Sequence, residues 1–142
     1  MTYKKSVDLT KSMAANQVSS ELKRQVQGLW LPSETEAPWT VPTWTLTSSN
    51  IPELRQVLWR APETPVSETS LDELMAQVRQ RCHGYGEEGK TIAQRHQELF
   101  DFLQQIGDRW RVFRAGEVTV DIVVVGEIDD GYVALQTQSV ET

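Results

Sequence analysis

The residues with the clearest chemical pattern are Gly84-Tyr85-Gly86-Glu87-Glu88-Gly89-Lys90-Thr91. They fit the phosphate-loop spacing G-x-x-x-x-G-K-T and also contain G-x-G-x-x-G. Both patterns bind phosphate by aiming loop amides and a helix N-terminus at its oxygens, which requires a strand leading in and a helix leading out. The helix out is present, but the strand in is not. Residues 70–82 have helical spacing, and Ser70-Leu71-Asp72-Glu73 is a helix-capping box. Glu87 and Glu88 would also set two carboxylates beside the phosphates, and no βαβ unit follows. The segment reads as a glycine C-cap and a flexible connection between helices, and nucleotide binding is not expected.

Other reactive side chains are few. Cys82, His83 and His96 show no zinc-ligand spacing. His96 falls on an apolar helical stripe and is read as a core histidine, and Cys82 as a small buried residue. No Ser/His/Asp arrangement can be argued. The chain is therefore expected not to be an enzyme, with no catalytic residues, no cofactor and no metal site of its own. Five tryptophans are present, and Trp30, Trp39, Trp44 and Trp59 cluster in the first half. They are read as core, with interface anchoring as the alternative.

The elements that must position these residues follow from periodicity. Residues 1–17 are polar and aperiodic and are expected to form a flexible tail, leaving 18–142 as one domain. Val18, Leu22, Val26 and Leu29 share a helical stripe that Pro32 should stop. Trp39 to Leu46 reads as a strand, an edge strand or a broken one because of Pro42. Asn50-Ile51-Pro52-Glu53 opens a short helix, and residues 60–69, with two prolines, read as an exposed loop. Leu71, Leu74, Met75, Val78 and Cys82 form the buried stripe of the next helix. Ile92, His96, Leu99, Phe100, Leu103 and Ile106 mark a longer one. From residue 111 the period changes to two. Arg111 to Arg114, Val118 to Val125 and Tyr132 to Val140 read as strands, with Asp130-Gly131 as a hairpin turn. The expected fold is α/β of the α+β kind: an α/β/α sandwich whose sheet has about four mainly antiparallel strands flanked by helices.

Composition narrows the function. The chain has 142 residues and a net charge of −6 from 20 acidic and 14 basic side chains. That balance argues against direct nucleic-acid binding, where a basic surface supplies most of the affinity. It suits either simple solubility or a partner with a basic surface. The single cysteine requires no oxidising compartment. The N-terminus lacks the apolar run of a signal peptide, and no stretch nears the roughly 20 apolar residues of a membrane span. A cytoplasmic protein with no membrane contact is expected.

Two motifs then carry a resemblance. The first is Ser33-Glu34-Thr35-Glu36-Ala37-Pro38, just after the first helix. The second is Gly116-Glu117-Val118-Thr119-Val120-Asp121, then Val125-Gly126-Glu127, then Val140-Glu141-Thr142 at the end. Together they resemble the nuclease A inhibitor family, small acidic α/β/α sandwich proteins that inhibit a sugar-non-specific, metal-dependent endonuclease. The match is specific from about residue 112 to 142. It continues without gaps along the helix at 91–106 and is poor over about 46–83. The resemblance implies a protein inhibitor that blocks the active-site groove of a Mg-dependent nuclease. Its C-terminal threonine would be Thr142, approaching the nuclease's metal, and its loop glutamate would be Glu34. Glu36 and Glu141, within the same two motifs, are expected partner contacts. A hard cation prefers oxygen ligands, so a terminal carboxylate beside a hydroxyl can stand in for substrate phosphate. One departure matters. The family has a Gln-Asp-Trp segment before the long helix, and its Gln and Trp belong to the nuclease interface. The aligned residues here are Cys82-His83-Gly84. That implies weaker inhibition, a different nuclease, or another partner assembly built on the same fold.

Overall fold

The computed structural model describes residues 15–42, 63–107, 109–128 and 131–141. Helix α1 (Ala15–Val26) buries Val18, Leu22 and Val26, one side chain per turn. It includes residues 15–17, the end of the expected tail; residues 1–14 lie outside the described residues. The helix stops well before Pro32. Gly28 adopts a left-handed φ of +72°, and the Leu29 amide donates to the Val26 carbonyl at 2.8 Å, closing the last turn. Leu29 remains fully buried although it is outside the helix.

Beyond Leu29 the chain forms a short ribbon in which β1 (Trp30–Leu31) pairs antiparallel with β2 (Ala37–Pro38) around the loop 32–36. Of the strand expected over 39–46, Thr40 makes a reciprocal backbone pair with Gln136, at 2.8 and 2.9 Å. Residues 43–46, and the helix expected from Asn50, lie outside the described residues.

The exposed loop expected over 60–69 is corrected in part. Val66–Thr69 is a strand, β3, which pairs with β4 (Arg111–Ala115). Its mixed Val-Ser-Glu-Thr pattern belongs to an edge strand, whose stability comes from ladder bonds and cross-strand pairs more than from burial. Glu68 makes a two-point ion pair with Arg111, at 2.7 and 2.8 Å, and the same guanidinium lies 4.8 Å above the Phe113 ring. Arg111 holds the Glu68 carboxyl below its usual range.

Helix α2 (Leu71–Cys82) starts as the capping box predicts, with the Glu73 amide donating to the Ser70 hydroxyl at 3.1 Å. The Glu73 carboxylate accepts from Thr69 rather than closing the box on Ser70. A single 3-10 turn, His83–Tyr85, leads to α3 (Gly86–Ile106). That helix begins five residues before Thr91, so most of the expected flexible connection is helical. Gly89 explains the close junction: a Cβ there would sit 2.1 Å from the Cys82 carbonyl oxygen, a space that only glycine leaves open.

The main sheet has the order β3-β4-β5-β6, antiparallel throughout, with β5 (Thr119–Ile128) and β6 (Gly131–Val140) forming its long hairpin. The register pairs Ile128 with Gly131 across the turn, where Gly131 has a φ of +127°. On one face Val112, Val120, Ile122, Val124 and Leu135 join the buried residues of all three helices in one core. On the other, Phe113, Ala115, Val123, Val125 and Ala134 form a second buried cluster, flanked by Val66 and Tyr132. Strand β5 is apolar on both faces because both are buried: Ile122 and Val124 lie on the helix-bearing side, Val123 and Val125 on the other. The fold is thus mixed α+β with a four-stranded antiparallel sheet, as the change of period indicated.

Candidate partner-binding site

The two resemblance motifs lie far apart in sequence, yet the fold bonds them to each other. The β1–β2 ribbon presents Pro32 to Glu36 as a tight loop. The Ser33 hydroxyl accepts from the Thr35 amide at 3.2 Å and donates to the Thr35 carbonyl at 2.7 Å, so the loop's shape is set locally. The same hydroxyl oxygen accepts from the Val140 amide at 3.3 Å, and the Glu34 amide makes a longer bond of 3.5 Å to the Val140 carbonyl. The end of β6 therefore runs directly against the Ser33-Glu34 backbone. Glu34, Thr35 and Glu36 are all exposed.

Glu141 is placed differently from Glu34 and Glu36. Its carboxylate accepts from Arg114, from the Ser139 hydroxyl at 2.8 Å and from Arg81 at 3.2 Å. Its amide donates to the Val118 carbonyl at 2.8 Å. Burial pushes this carboxyl up, but Arg114, Ser139 and Arg81 together outweigh burial and hold it below its usual range. Arg81 projects from the last turn of α2. Besides Glu141 it donates to the Ser139 hydroxyl at 3.2 Å and to the Pro32 carbonyl at 2.9 Å. Thr142 lies outside the described residues.

The remaining chemistry-bearing residues sit elsewhere. His96 is fully buried, as its place on the apolar stripe predicts. Its Nδ1 bonds the Ile92 carbonyl at 2.8 Å, and its Nε2 accepts the Trp39 indole N–H at 2.9 Å. Cys82 is buried, and burial raises its thiol pKa. Trp30 meets Tyr85 edge-on at 5.3 Å, and Trp110 lies against Gly126 while its N–H donates to the Leu103 carbonyl at 2.8 Å. These three tryptophans, 30, 39 and 110, all pack against the core; Trp44 and Trp59 lie outside the described residues. The segment 84–91 follows a helix, not a strand, so the phosphate-loop geometry is not formed. Among the described residues no group of three His, Cys, Asp or Glu side chains could hold a metal ion, and no helix is long and apolar enough to cross a membrane.

Comparison with known families adds the deciding observation. A family model described as nuclease A inhibitor-like protein matches residues 16–142. The chain belongs to the nuclease A inhibitor-like family. Among curated proteins, no sequence matches it. The family match spans the Ser33–Pro38 loop, all of the sheet and the end of the sequence, so it covers both motifs and the elements that join them.

Within this nuclease A inhibitor-like chain, sequence reasoning missed Arg81 and Arg114. Both lie in patterns that carry no such signal. Arg81 is one of two basic residues in the last turn of an amphipathic helix, and Arg114 sits between Phe113 and Ala115 in β4. Their roles come from long-range contacts, 60 residues apart in sequence for Arg81 and Glu141 and 27 for Arg114 and Glu141.

Proposed function

We propose that this protein inhibits a sugar-non-specific, Mg-dependent endonuclease by occupying its active-site groove, and that it does so without catalysis of its own. Glu34 supplies a carboxylate to ground that substrate phosphate would occupy, and Thr142 approaches the nuclease's metal with its oxygens. Glu36 lies on the same loop and borders the contact. The observation that carries this reading is the direct bonding of Val140 to the Ser33 hydroxyl and the Glu34 amide. It joins the two segments that the family resemblance singles out. The net charge of −6 favours a basic groove.

The test is a titration of a Mg-dependent, sugar-non-specific endonuclease acting on DNA. Stoichiometric loss of activity is expected. Glu34→Ala, and separately deletion of Thr142, should each weaken inhibition by roughly tenfold or more, as expected for losing a charge-assisted contact at an interface centre. Full inhibition by both variants would remove the mechanism.

A second reading is an interaction module of the same fold that does not inhibit a nuclease. It is favoured by the end of α2 and the turn after it, where the resemblance expects an interface Gln and Trp and this chain places a buried Cys82 and an exposed Gly84. Absence of inhibition, with a stable partner recovered by pull-down, would select it.

A further inference from the structure

We infer that Arg81 is the positioning residue of the candidate inhibitory site, holding the Glu34 loop and the end of β6 in one fixed geometry; this rests on the inhibitor reading above. One guanidinium reaches both segments. Nη1 donates to the Pro32 carbonyl at 2.9 Å, immediately before Ser33-Glu34, and to the Ser139 hydroxyl at 3.2 Å. Nη2 donates to the Glu141 carboxylate at 3.2 Å, immediately before Thr142. The planar fork of arginine suits this division of donors, whereas the compact ammonium of lysine does not.

The contact is held at its base. Arg81 occupies the last turn of α2, and that helix end is fixed by the close junction of Cys82 with Gly89. Arg114, from the neighbouring sheet, holds the same Glu141 oxygen as Arg81 does. The side chains of Arg81, Glu141 and Arg114 are about one quarter, one third and one sixth exposed (27%, 31% and 16%), so water competes only in part for these bonds. The result is that the end of β6 is tied down through the side chain of Glu141. A loop and a strand end free to shift against each other would be fixed in relation only on binding, and fixing that relation beforehand removes the cost. By this account Glu141 serves the site through its carboxylate, which is turned inward on Arg81, Arg114 and Ser139.

The experiment compares the full chain with Arg81→Met, Arg81→Lys and Glu141→Gln. Amide hydrogen exchange is read at Glu34, Val140 and Glu141 in the protein alone, and inhibition is read against the nuclease. In Arg81→Met, exchange at Glu34 and Val140 should both speed by roughly tenfold, while amides in β5 keep their protection and report an intact fold. Arg81→Lys should not restore protection at both segments, because charge without the fork is insufficient. Glu141→Gln should loosen Val140 and Glu141 but leave the Pro32 bond and the loop less affected. Inhibition by Arg81→Met should weaken in step with exchange. Unchanged exchange at Glu34 and Val140, rescue of both by lysine, or loosened segments with undiminished inhibition would each overturn the proposal. If the wild-type chain inhibits nothing, the inhibitor reading fails by itself, while the exchange data still report whether Arg81 joins the two segments.

Discussion

The two nitrogens of His96 have fixed and opposite roles. Nδ1 faces a carbonyl acceptor and Nε2 faces an indole donor, so the ring is neutral, with its proton on Nδ1. Burial, the largest influence, lowers its pKa to about 4; the bond to Ile92 opposes this and the nearby Arg95 charge adds to it. The unfolded chain therefore binds a proton between pH 6.5 and 4 that the folded chain does not. Stability from this residue is full above pH 6.5 and is lost as pH falls toward 4, by on the order of 3 kcal/mol in all. Between about pH 7 and about pH 5 the wild type should lose about 2 kcal/mol on this account. Denaturant unfolding at the two pH values checks it. His96→Gln should be less stable at about pH 7, because Trp39 loses a well-placed partner, and should show a correspondingly shallower pH dependence. An unaltered pH slope in the variant would sink the assignment.

At the scale of elements, the junction of α2 and α3 tolerates no side chain at residue 89. Gly89→Ala would drive a Cβ into the Cys82 carbonyl, a backbone atom that cannot move aside without shifting a helix end. A loss of roughly 2 kcal/mol or more is expected by thermal or denaturant unfolding, at the upper end of ordinary overpacking costs. The cap of α2 is milder: Ser70→Ala should cost about 1 kcal/mol. These elements also show what the sequence made legible. The stripes of α1, α2 and α3, the Ser70 cap and the β5–β6 hairpin can all be read, because each rests on period or on turn chemistry within a few residues. Strand β3 cannot. Val66-Ser67-Glu68-Thr69 follows Pro65 and has little apolar alternation, and its strand character comes from pairing with β4, 43 residues later for Glu68 and Arg111. The end of α1 is hidden for a related reason: Gly28 ends the helix through its φ, and Leu29 continues the apolar stripe past that point without being helical. For the candidate site, Glu34 and Glu36 can be named from the resemblance and stand exposed on their loop. The arginines that fix the site arise from tertiary contact and leave no local trace.

For the whole molecule, the fold joins residues 107 apart in sequence, Ser33 and Val140, at the candidate surface. It does so on a chain with a net charge of −6. A groove that handles a polyphosphate backbone presents positive charge, so under the proposed function the two surfaces would attract before they touch. Long-range attraction of that kind acts on encounter and is screened by salt, whereas contacts formed after docking are short-ranged and govern release. The association rate with the nuclease should therefore fall by roughly tenfold as ionic strength rises from about 0.05 to about 0.5 M, while the dissociation rate changes much less. Stopped-flow mixing at several salt concentrations measures both. Reducing the charge farther along α3, for example Glu98→Gln with Asp101→Asn, both exposed and on the order of 20 Å along the helix from its first turn, should flatten the salt dependence of association and leave dissociation unchanged. An association rate indifferent to salt would mean that net charge serves solubility alone and that the partner is chosen by the short-range contacts of Glu34 and Thr142.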